Sequence, residues 1–368
     1  MKQYSLSFLL TVIVASISSG QATQSQEGNQ PPRWVQKMFQ RQDKDSDGSI
    51  TRDEAKNQLK RNFDRVDADK NGLVSIREFR TALQSLKKPP ANVPVPDNVE
   101  LKKDIAYREG HDLWKLDLAM PKAKSNTPRP ALVVIHGGGW HNGDKAEGQW
   151  RRLPLEYASE GYVCISVNYR LLSDKKTTLA DCIADCKCAV RWLRANAKTY
   201  NVNPNRIGAF GNSAGAHLVA TLGLATKDRK MEGDGPHQEH SSMVQAVCCV
   251  ATPTDFTDWG GDQSKGNYWQ NRLLGKLDRD EWLTKVSPVY LASKKAPPFL
   301  IIHGTKDTTV PVSQGRRLNQ SLKEKGAKNV TYLEYEGAGH GVFGQRASET
   351  APAMKAFFRR TLGVTVKD

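Results

Sequence analysis

Hydrophobic and polar positions change rhythm three times along this chain. Near the start, a basic Lys2 precedes an apolar stretch from Leu6 to Ile17, and small residues follow it. That order predicts a secretory signal peptide over residues 1–22, cleaved after Gly20 or Ala22. An apolar run of about a dozen residues is short of the ~20 that a membrane-spanning helix needs. No later stretch is longer, so no membrane span is expected, and the chain is expected to be secreted or periplasmic. The second rhythm is polar and acidic, with single aromatic residues ahead of Asp-rich segments. The third begins near Glu100 and alternates short apolar runs with longer mixed ones. That alternation predicts a mostly parallel sheet covered by helices on both faces.

Within the third part, "KDIAYRE" and "KLDLAMP" read as two antiparallel leading strands. "ALVVIHGGGW" (131–140) is a continuous apolar strand with a Gly-rich end, and "YVCISVNYR" is the next buried strand. "LADCIADCKCAVRWLRANAKTY" reads as a helix, followed by the strand "RIGAFGNS". "VQAVCCVA", "PFLIIHG" and "VTYLEYEG" supply three more strands; "SQGRRLNQSLKEKG" and "SETAPAMKAFFRRTLG" supply late helices. Pro89, Pro90, Pro94 and Pro96 mark an extended linker at 87–99, since proline fixes its backbone and favours extended neighbours. The expected organisation is a small module at 33–86, the linker, and an α/β domain at 100–368.

The second rhythm carries a chemical pattern. In "DKDSDGSITRDE" (43–54), oxygen-bearing side chains stand at positions 1, 3 and 5 (Asp43, Asp45, Asp47), with Gly48 at position 6 for a sharp turn. Ser49 offers a backbone carbonyl at position 7, Thr51 stands at 9, and Glu54 at 12 can bind a cation through both oxygens. Twenty-four residues later "DADKNGLVSIRE" repeats this with Asp67, Asp69, Asn71, Gly72, Leu73, Ser75 and Glu78. Phe39 and Phe63 each lie four residues ahead of their loop, so the flanking helix repeats too. The segment resembles a pair of EF-hands, which implies two Ca2+ sites in a small all-α module. Only Ala55 to Val66 separate the loops. That leaves room for one shared helix, as in dockerin-type calcium repeats, and counts against the usual face-to-face pairing of the loops. A structural or tethering role is expected for this calcium.

Composition narrows the remaining possibilities. The formal net charge is +15, from 54 Lys+Arg against 39 Asp+Glu. The basic residues are scattered, and no nucleic-acid motif accompanies them, so a basic solvated surface is expected instead of a nucleic-acid partner. The six cysteines are too few for a disulfide scaffold at 368 residues. Cys164, Cys248 and Cys249 fall in strand-like apolar runs, and Cys182, Cys186 and Cys188 in a helical stretch without zinc-ligand spacing; packing is their expected role.

The chemistry of the α/β part converges on "RIGAFGNSAGAHL" (206–218). A strand ends at Ser213 and a helix begins at Ala214. Gly211 and Gly215 remove the side chains that would clash in so tight a turn, and the helix start directs N–H donors at the same point. Upstream, the "HGGGW" strand end lets Gly138 and Gly139 approach a substrate oxygen; with Ala214 they form a candidate oxyanion hole. Downstream come Asp307, in the turn after "PFLIIHG", and His340, in a Gly-rich loop after "VTYLEYEG". The order Ser, Asp, His suits a nucleophile, an orienting acid and a base on this architecture. His136 and His303 are rival histidines, but both sit in strand-end turns ahead of the required position.

Taken with "LVVIHGGGWHNGDK", "SEGYVCISVNYRL", "KVSPVYLASKKAPPFLIIHGTKDTTVPVSQ" and "EYEGAGHGVF", these segments give residues 100 to 365 their likeness. The region resembles α/β-hydrolase esterases of the hormone-sensitive-lipase-like kind, and most closely bifunctional acetylxylan/feruloyl esterases. The resemblance implies hydrolysis of carboxylic esters through an acyl-enzyme, with acetyl or feruloyl esters on polysaccharides as substrates and no catalytic metal. Asn212, where relatives often carry Asp, and Ala216, in place of a second Gly, are departures that leave the catalytic groups intact. Trp259, Tyr268 and Trp269 offer rings for stacking on a sugar or feruloyl group, or for packing as a local cap. A prolyl-oligopeptidase-type peptidase and a formamidase are alternatives on the same fold. A non-catalytic, calcium-dependent scaffold is the alternative outside enzymology.

Overall fold

A computed structural model describes residues 33–56, 59–60, 63–86, 93–174, 176–226, 231–260 and 279–363. The expected signal peptide, the first part of the linker, Tyr268 and Trp269 lie outside them. The chain separates into two compact units, Met1–Lys88 and Pro89–Asp368.

The first unit begins with helix α1 (Arg33–Gln40), then strand β1 (Ser49–Thr51), a short helix α2 (Phe63–Val66), strand β2 (Leu73–Ser75) and helix α3 (Ile76–Leu86). Its core gathers Val35, Phe39, Ile50, Leu59, Phe63, Val74 and Phe79. The repeat therefore buries equivalent residues: the phenylalanine ahead of each loop and the apolar residue at position 8 of each loop. β1 and β2 pair antiparallel, Ile50 opposite Val74 and Ser49 opposite Ser75. This corrects the expectation drawn from the short spacing: the loops do pair side by side. Two positions with their side chains at zero exposure, Ile50 and Val74, supply the physical reason, because the pairing buries both at once. Among the described residues, the first unit joins its helices and this short ladder through the two acidic loops.

The second unit is built on an eight-stranded sheet. Its strands are β3 (Val99–Ala106), β4 (Lys115–Pro121), β5 (Arg129–Ile135), β6 (Val163–Val167), β7 (Val202–Asn212), β8 (Ala246–Val250), β9 (Phe299–Gly304) and β10 (Val330–Tyr335). Their spatial order is β10-β9-β8-β7-β5-β6-β4-β3. The β3–β4 and β4–β6 pairs are antiparallel, and all the others are parallel. Central strands β5, β6, β8 and β9 are apolar nearly throughout because helices cover both faces. One face packs Leu116, Val133, Ile165, Ala209 and Ile301 under helices α5 (Leu179–Ala195), α6 (Ala214–Leu224) and α9 (Val312–Glu324). The other packs Leu132, Val134, Phe210, Cys248 and Ile302 under α4 (Gln149–Ser159) and α11 (Ala347–Leu362). Short helices α7 (Arg279–Val286), α8 (Pro288–Leu291) and α10 (Val342–Gln345) complete the set.

Thr178 and Asp181 close a reciprocal cap at the start of α5, satisfying two otherwise orphaned backbone donors. This helix stops at Ala195, where Asn196 caps it, five residues before the end its sequence pattern suggests. All six cysteines are free and buried. Among the described residues, no helix is long and apolar enough to cross a membrane.

Candidate active site

β7 ends at Asn212 and α6 starts at Ala214, so Ser213 alone makes the turn between strand and helix. Its backbone is held at φ 56° and ψ −123°, a conformation L-residues rarely adopt. The surrounding glycines explain how the turn closes. A Cβ on Gly211 would lie 2.3 Å from the carbonyl oxygen of Gly215, and one on Gly215 would lie 2.2 Å from that of Ile135. Neither separation is possible, so strand, turn and helix reach this proximity only with glycine at both places. The Ser213 amide donates to Val250 at 2.9 Å, which ties the turn to the neighbouring strand.

Three side chains from three strand ends meet here. His340 Nε2 lies 2.9 Å from Ser213 Oγ, and His340 Nδ1 lies 2.8 Å from Asp307 Oδ2. The other Asp307 oxygen accepts the amides of Thr309 (2.8 Å) and Val310 (2.9 Å). Burial by itself would raise the Asp307 pKa. Hydrogen bonds from His303 and His340, the charge on His340 and the Val310 amide more than offset it, and hold the carboxyl well below the usual carboxylate range. Asp307 is therefore an anion at any pH where the protein works, and it fixes the Nδ1–H tautomer of His340. The Nε2 lone pair then faces the serine hydroxyl.

Both rival histidines are elsewhere. His136 is buried against Tyr169, with ring centroids 4.4 Å apart, and Nδ1 lies 2.8 Å from the Gly137 carbonyl. Burial pushes its pKa down to about 4. His303 is also buried, with Nε2 3.0 Å from the Val310 carbonyl and 3.5 Å from Asp307. It braces the Asp307 turn from behind, a contact its position in an apolar strand does not announce.

A cleft of about 440 Å³ opens over Ser213, and Gly138, Gly139, Trp140 and His340 are among its walls. The amides of Gly138 and Gly139 make no hydrogen bond among the described residues, although the Gly138 carbonyl accepts from His141 and Asn142. The Ala214 amide at the first position of α6 has no i−4 partner either. Trp259 is 1% exposed and stacks against Phe256 at 6.2 Å, so it packs locally while still lining the cleft. Asn212 reaches the cleft, whereas Ala216 is buried in the core. Asn142 and Glu147, in the turn after "HGGGW", and Trp150, in the first turn of α4, also line the cleft, and no motif marks them.

The first unit holds a second concentration of function-bearing residues. Oxygens of Asp43, Asp45 and Asp47 lie within 4.8 Å of one another, as do those of Asp67, Asp69 and Glu78. Glu54 reaches back over its loop, accepting from the Lys44 amide and from Thr51 N and Oγ1, each at 2.8 Å. Those bonds lower its pKa to about 2. Glu78 repeats the contacts with Ala68 and Ser75. Ser49 and Leu73 sit in β1 and β2, Asn71 Oδ1 accepts the Leu73 amide at 2.8 Å, and Asp47 Oδ1 accepts that of Ser49 at 2.7 Å. Asp43 Oδ1 is buried without a protein partner among the described residues. An orphaned carboxylate oxygen amid other carboxylates suits a hard oxygen-seeking cation.

Comparison with known proteins matches both regions of the chain to families. The BD-FAE family model matches residues 116–322, and an EF-hand model matches 35–57 and 59–83. The chain belongs to the BD-FAE family. Esterase LipC of Mycobacterium tuberculosis is 32% identical over 252 residues, covering 67% of this chain and 62% of LipC. The isoprenylcysteine alpha-carbonyl methylesterase ICME of Arabidopsis thaliana is 24% identical over 249 residues, 66% of this chain and 56% of that one. This chain thus spans less than two thirds of the length of these relatives. Among solved structures, a truncated carbohydrate esterase from gut microbiota superposes with a TM-score of 0.65 at 26% identity, covering 75% of this chain and 100% of that one. Thermogutta terrifontis esterase 2 phosphorylated by paraoxon gives 0.60 at 26% identity, covering 73% and 96%. For this member of the BD-FAE family, the α/β-hydrolase fold and the EF-hand region are thereby established together.

Proposed function

We propose that the protein is an exported serine carboxylic-ester hydrolase that removes acyl groups, acetyl or feruloyl, from carbohydrate chains. The observation that carries this reading is the unbroken line Ser213 Oγ, His340, Asp307 beside three unengaged amides. In the reading, His340 Nε2 takes the hydroxyl proton as Ser213 Oγ forms a bond to the ester carbonyl carbon. The carbonyl oxygen becomes an anion, and the Gly138, Gly139 and Ala214 amides hold it. Each such donor is typically worth about 10²–10³ in rate. The tetrahedral adduct collapses as His340 protonates the departing alcohol, leaving the acyl group on Ser213. Water then attacks the acyl carbon as His340 takes one of its protons; this second adduct breaks its bond to Ser213 Oγ, which regains that proton from His340 as the acid leaves. Fixed amides act best where charge develops, so the strained serine backbone serves to aim Oγ at the carbonyl held by these donors.

Carbohydrate esters are supported by the gut-microbiota carbohydrate esterase among the structural neighbours. Export is supported by the leader-like residues 1–22. The loop residues Asp43, Asp45, Asp47, Glu54, Asp67, Asp69, Asn71 and Glu78, with the carbonyls of Ser49 and Leu73, would hold two Ca2+ ions. When bound, these ions supply structural stability to the first unit; extracellular sites of this type have Kd on the order of 0.1–1 mM. The full-length protein should hydrolyse p-nitrophenyl acetate, lose that activity on treatment with paraoxon or in Ser213→Ala, and keep it in EDTA. Acetylated xylan and methyl ferulate then rank the acyl group. Absence of Ser213-dependent ester hydrolysis would overturn the reading.

A further inference from the structure

The cleft over Ser213 has two unlike walls. One is buried and apolar: Trp140 and Trp259 are each 1% exposed, and Val310 is buried beside them. Trp140 meets the Phe256 ring edge-on at 5.8 Å, so this wall is packed from behind and closed. The other wall runs from the turn after β5 into the first turn of α4. There Asn142 and Glu147 are exposed, and Trp150 is half-buried with its ring against Phe210 at 6.2 Å.

The polar groups of that turn fall into two sets. Asp144, Lys145 and Asn168 are all engaged, and they hold the turn rigid. Asp144 accepts from the Ala146 amide and from Asn168 Nδ2, each at 2.7 Å. Asn168 Oδ1 accepts the Lys145 amide at 2.6 Å, and Lys145 Nζ lies 2.7 Å from both Asp104 and Asp117. By contrast, the side chains of Asn142 and Glu147 make no hydrogen bond or ion pair among the described residues. In a chain of 54 Lys+Arg, a cleft-mouth carboxylate without a partner among the described residues is not explained by charge balance.

We infer that Asn142, Glu147 and Trp150 form the subsite for the alcohol half of the ester, and that this alcohol is a neutral sugar ring. The inference rests on the esterase reading above. The closed wall admits only the acyl half, since an alcohol that continues as a polymer has to leave through the open side. On that side, a carboxylate and a carboxamide can hydrogen-bond to adjacent ring hydroxyls, and the free face of Trp150 can cover the C–H face of a pyranose. Held on a rigid turn, these groups lose little entropy when they bind. The Glu147 charge also disfavours anionic alcohols.

The test compares kcat/KM for p-nitrophenyl acetate and for an O-acetylated xylo-oligosaccharide, using the full chain with and without substitutions. Glu147→Ala and Trp150→Ala should lower the oligosaccharide value about tenfold more than the p-nitrophenyl value, the loss expected for one charge-assisted hydrogen bond or one ring contact. Glu147→Gln should recover part of that loss, because an amide still accepts from a hydroxyl. Unacetylated xylo-oligosaccharide should inhibit competitively, and less well in each variant. Parallel losses on both substrates, an unchanged ratio, or no wild-type turnover of the oligosaccharide would overturn the subsite while the esterase reading stands. No Ser213-dependent turnover of either ester would instead overturn the esterase reading. Glu147 is exposed, so its variants keep the test decisive if Trp150→Ala fails to fold.

Discussion

Asp307 and the two acidic loops solve opposite electrostatic problems. Asp307 is one carboxylate with its side chain fully buried, and every neighbour that matters donates to it: His340, His303, and the Thr309 and Val310 amides. The loops crowd several carboxylates together, some buried and some exposed, and Asp43 Oδ1 has no protein partner among the described residues. Asp45 shows the result. The Asp47 amide works to lower its pKa, yet desolvation and the charges of Asp47, Glu54 and Asp43 prevail and raise it. A lone anion wrapped in donors is complete without anything added. A cluster of anions is complete only when a cation arrives.

The sharpest way to break this contrast lies at the catalytic end. Ser213→Ala should reduce kcat on p-nitrophenyl acetate on the order of 10⁴–10⁶-fold, the range seen when a hydrolase loses its nucleophile. Asp307→Asn should cost about 10⁴-fold, because an amide favours the wrong His340 tautomer. It should also destabilise the fold at neutral pH by about 1–3 kcal/mol, because one oxygen becomes an NH2 group facing the His340 and His303 donors, while the bonds from the Thr309 and Val310 amides to the other lose their charge. The pH sign follows from the lowered pKa. Stability from ionised Asp307 is fully present above its ordinary value near 4, and is lost only as pH falls through the lower folded value. An Asp307→Asn enzyme with near-wild-type kcat would end the claim that this carboxylate orients the base.

At the other end of the comparison, removing calcium should affect stability and spare chemistry. At 100 times Kd, each bound ion adds about 2.7 kcal/mol to the unit that binds it. EDTA should therefore lower the unfolding transition of the first unit in the full-length protein and leave kcat/KM on p-nitrophenyl acetate unchanged. Glu54→Gln and Glu78→Gln should each remove part of the calcium-dependent rise. If EDTA abolishes hydrolysis instead, the division of labour between the two regions is wrong.

What could be read in the residues follows the same division. Ser213, Asp307 and His340 were legible because a tight strand-to-helix turn excludes all but glycine at its flanks and because the chain order of the triad is set by the order of the strands. The acidic loop residues were legible because the EF-hand pattern fixes their spacing within a single short segment. The pairing of β1 with β2 was not. It is a contact between two segments, each three residues long, too short to show a period. The reach of Asn142 and Glu147 into the cleft was hidden too, since a turn has no periodicity that assigns its side chains to a face, and Trp150 stands in the first turn of α4, a helix the pattern did not mark. His303 read as a histidine in a strand-end turn, and only the turn through Val310 brings its ring behind Asp307.

A smaller effect separates buried bases from the buried acid. Burial holds His136 and His217 neutral, both with pKa values down at about 4 against 6.5 ordinarily. Between those values the unfolded chain binds protons that the folded chain does not, so stability rises with pH through that window. Each histidine accounts for up to about 3 kcal/mol between pH 6.5 and 4. Denaturant titrations at pH 7, 5.5 and 4.5 should show the fall, and His217→Gln should shallow it. An unchanged slope in that variant would remove His217 from the account.

The smallest prediction is also the one whose sign divides the two regions. Without calcium, Asp45→Asn removes a charge that its neighbours repel, so the transition of the first unit should rise, by about a degree for a marginal surface change. With calcium in excess, the same substitution deletes a ligand and should lower it. Asp307→Asn, in contrast, should destabilise in both buffers, because its partners are protein donors that calcium does not replace. Calorimetry of the full-length protein in EDTA and in millimolar calcium reads both variants in four scans. If Asp45→Asn lowers the transition in EDTA as well, local hydrogen bonding outweighs charge repulsion in the loop, and the acidic cluster is not strained in the way the raised Asp45 pKa implies.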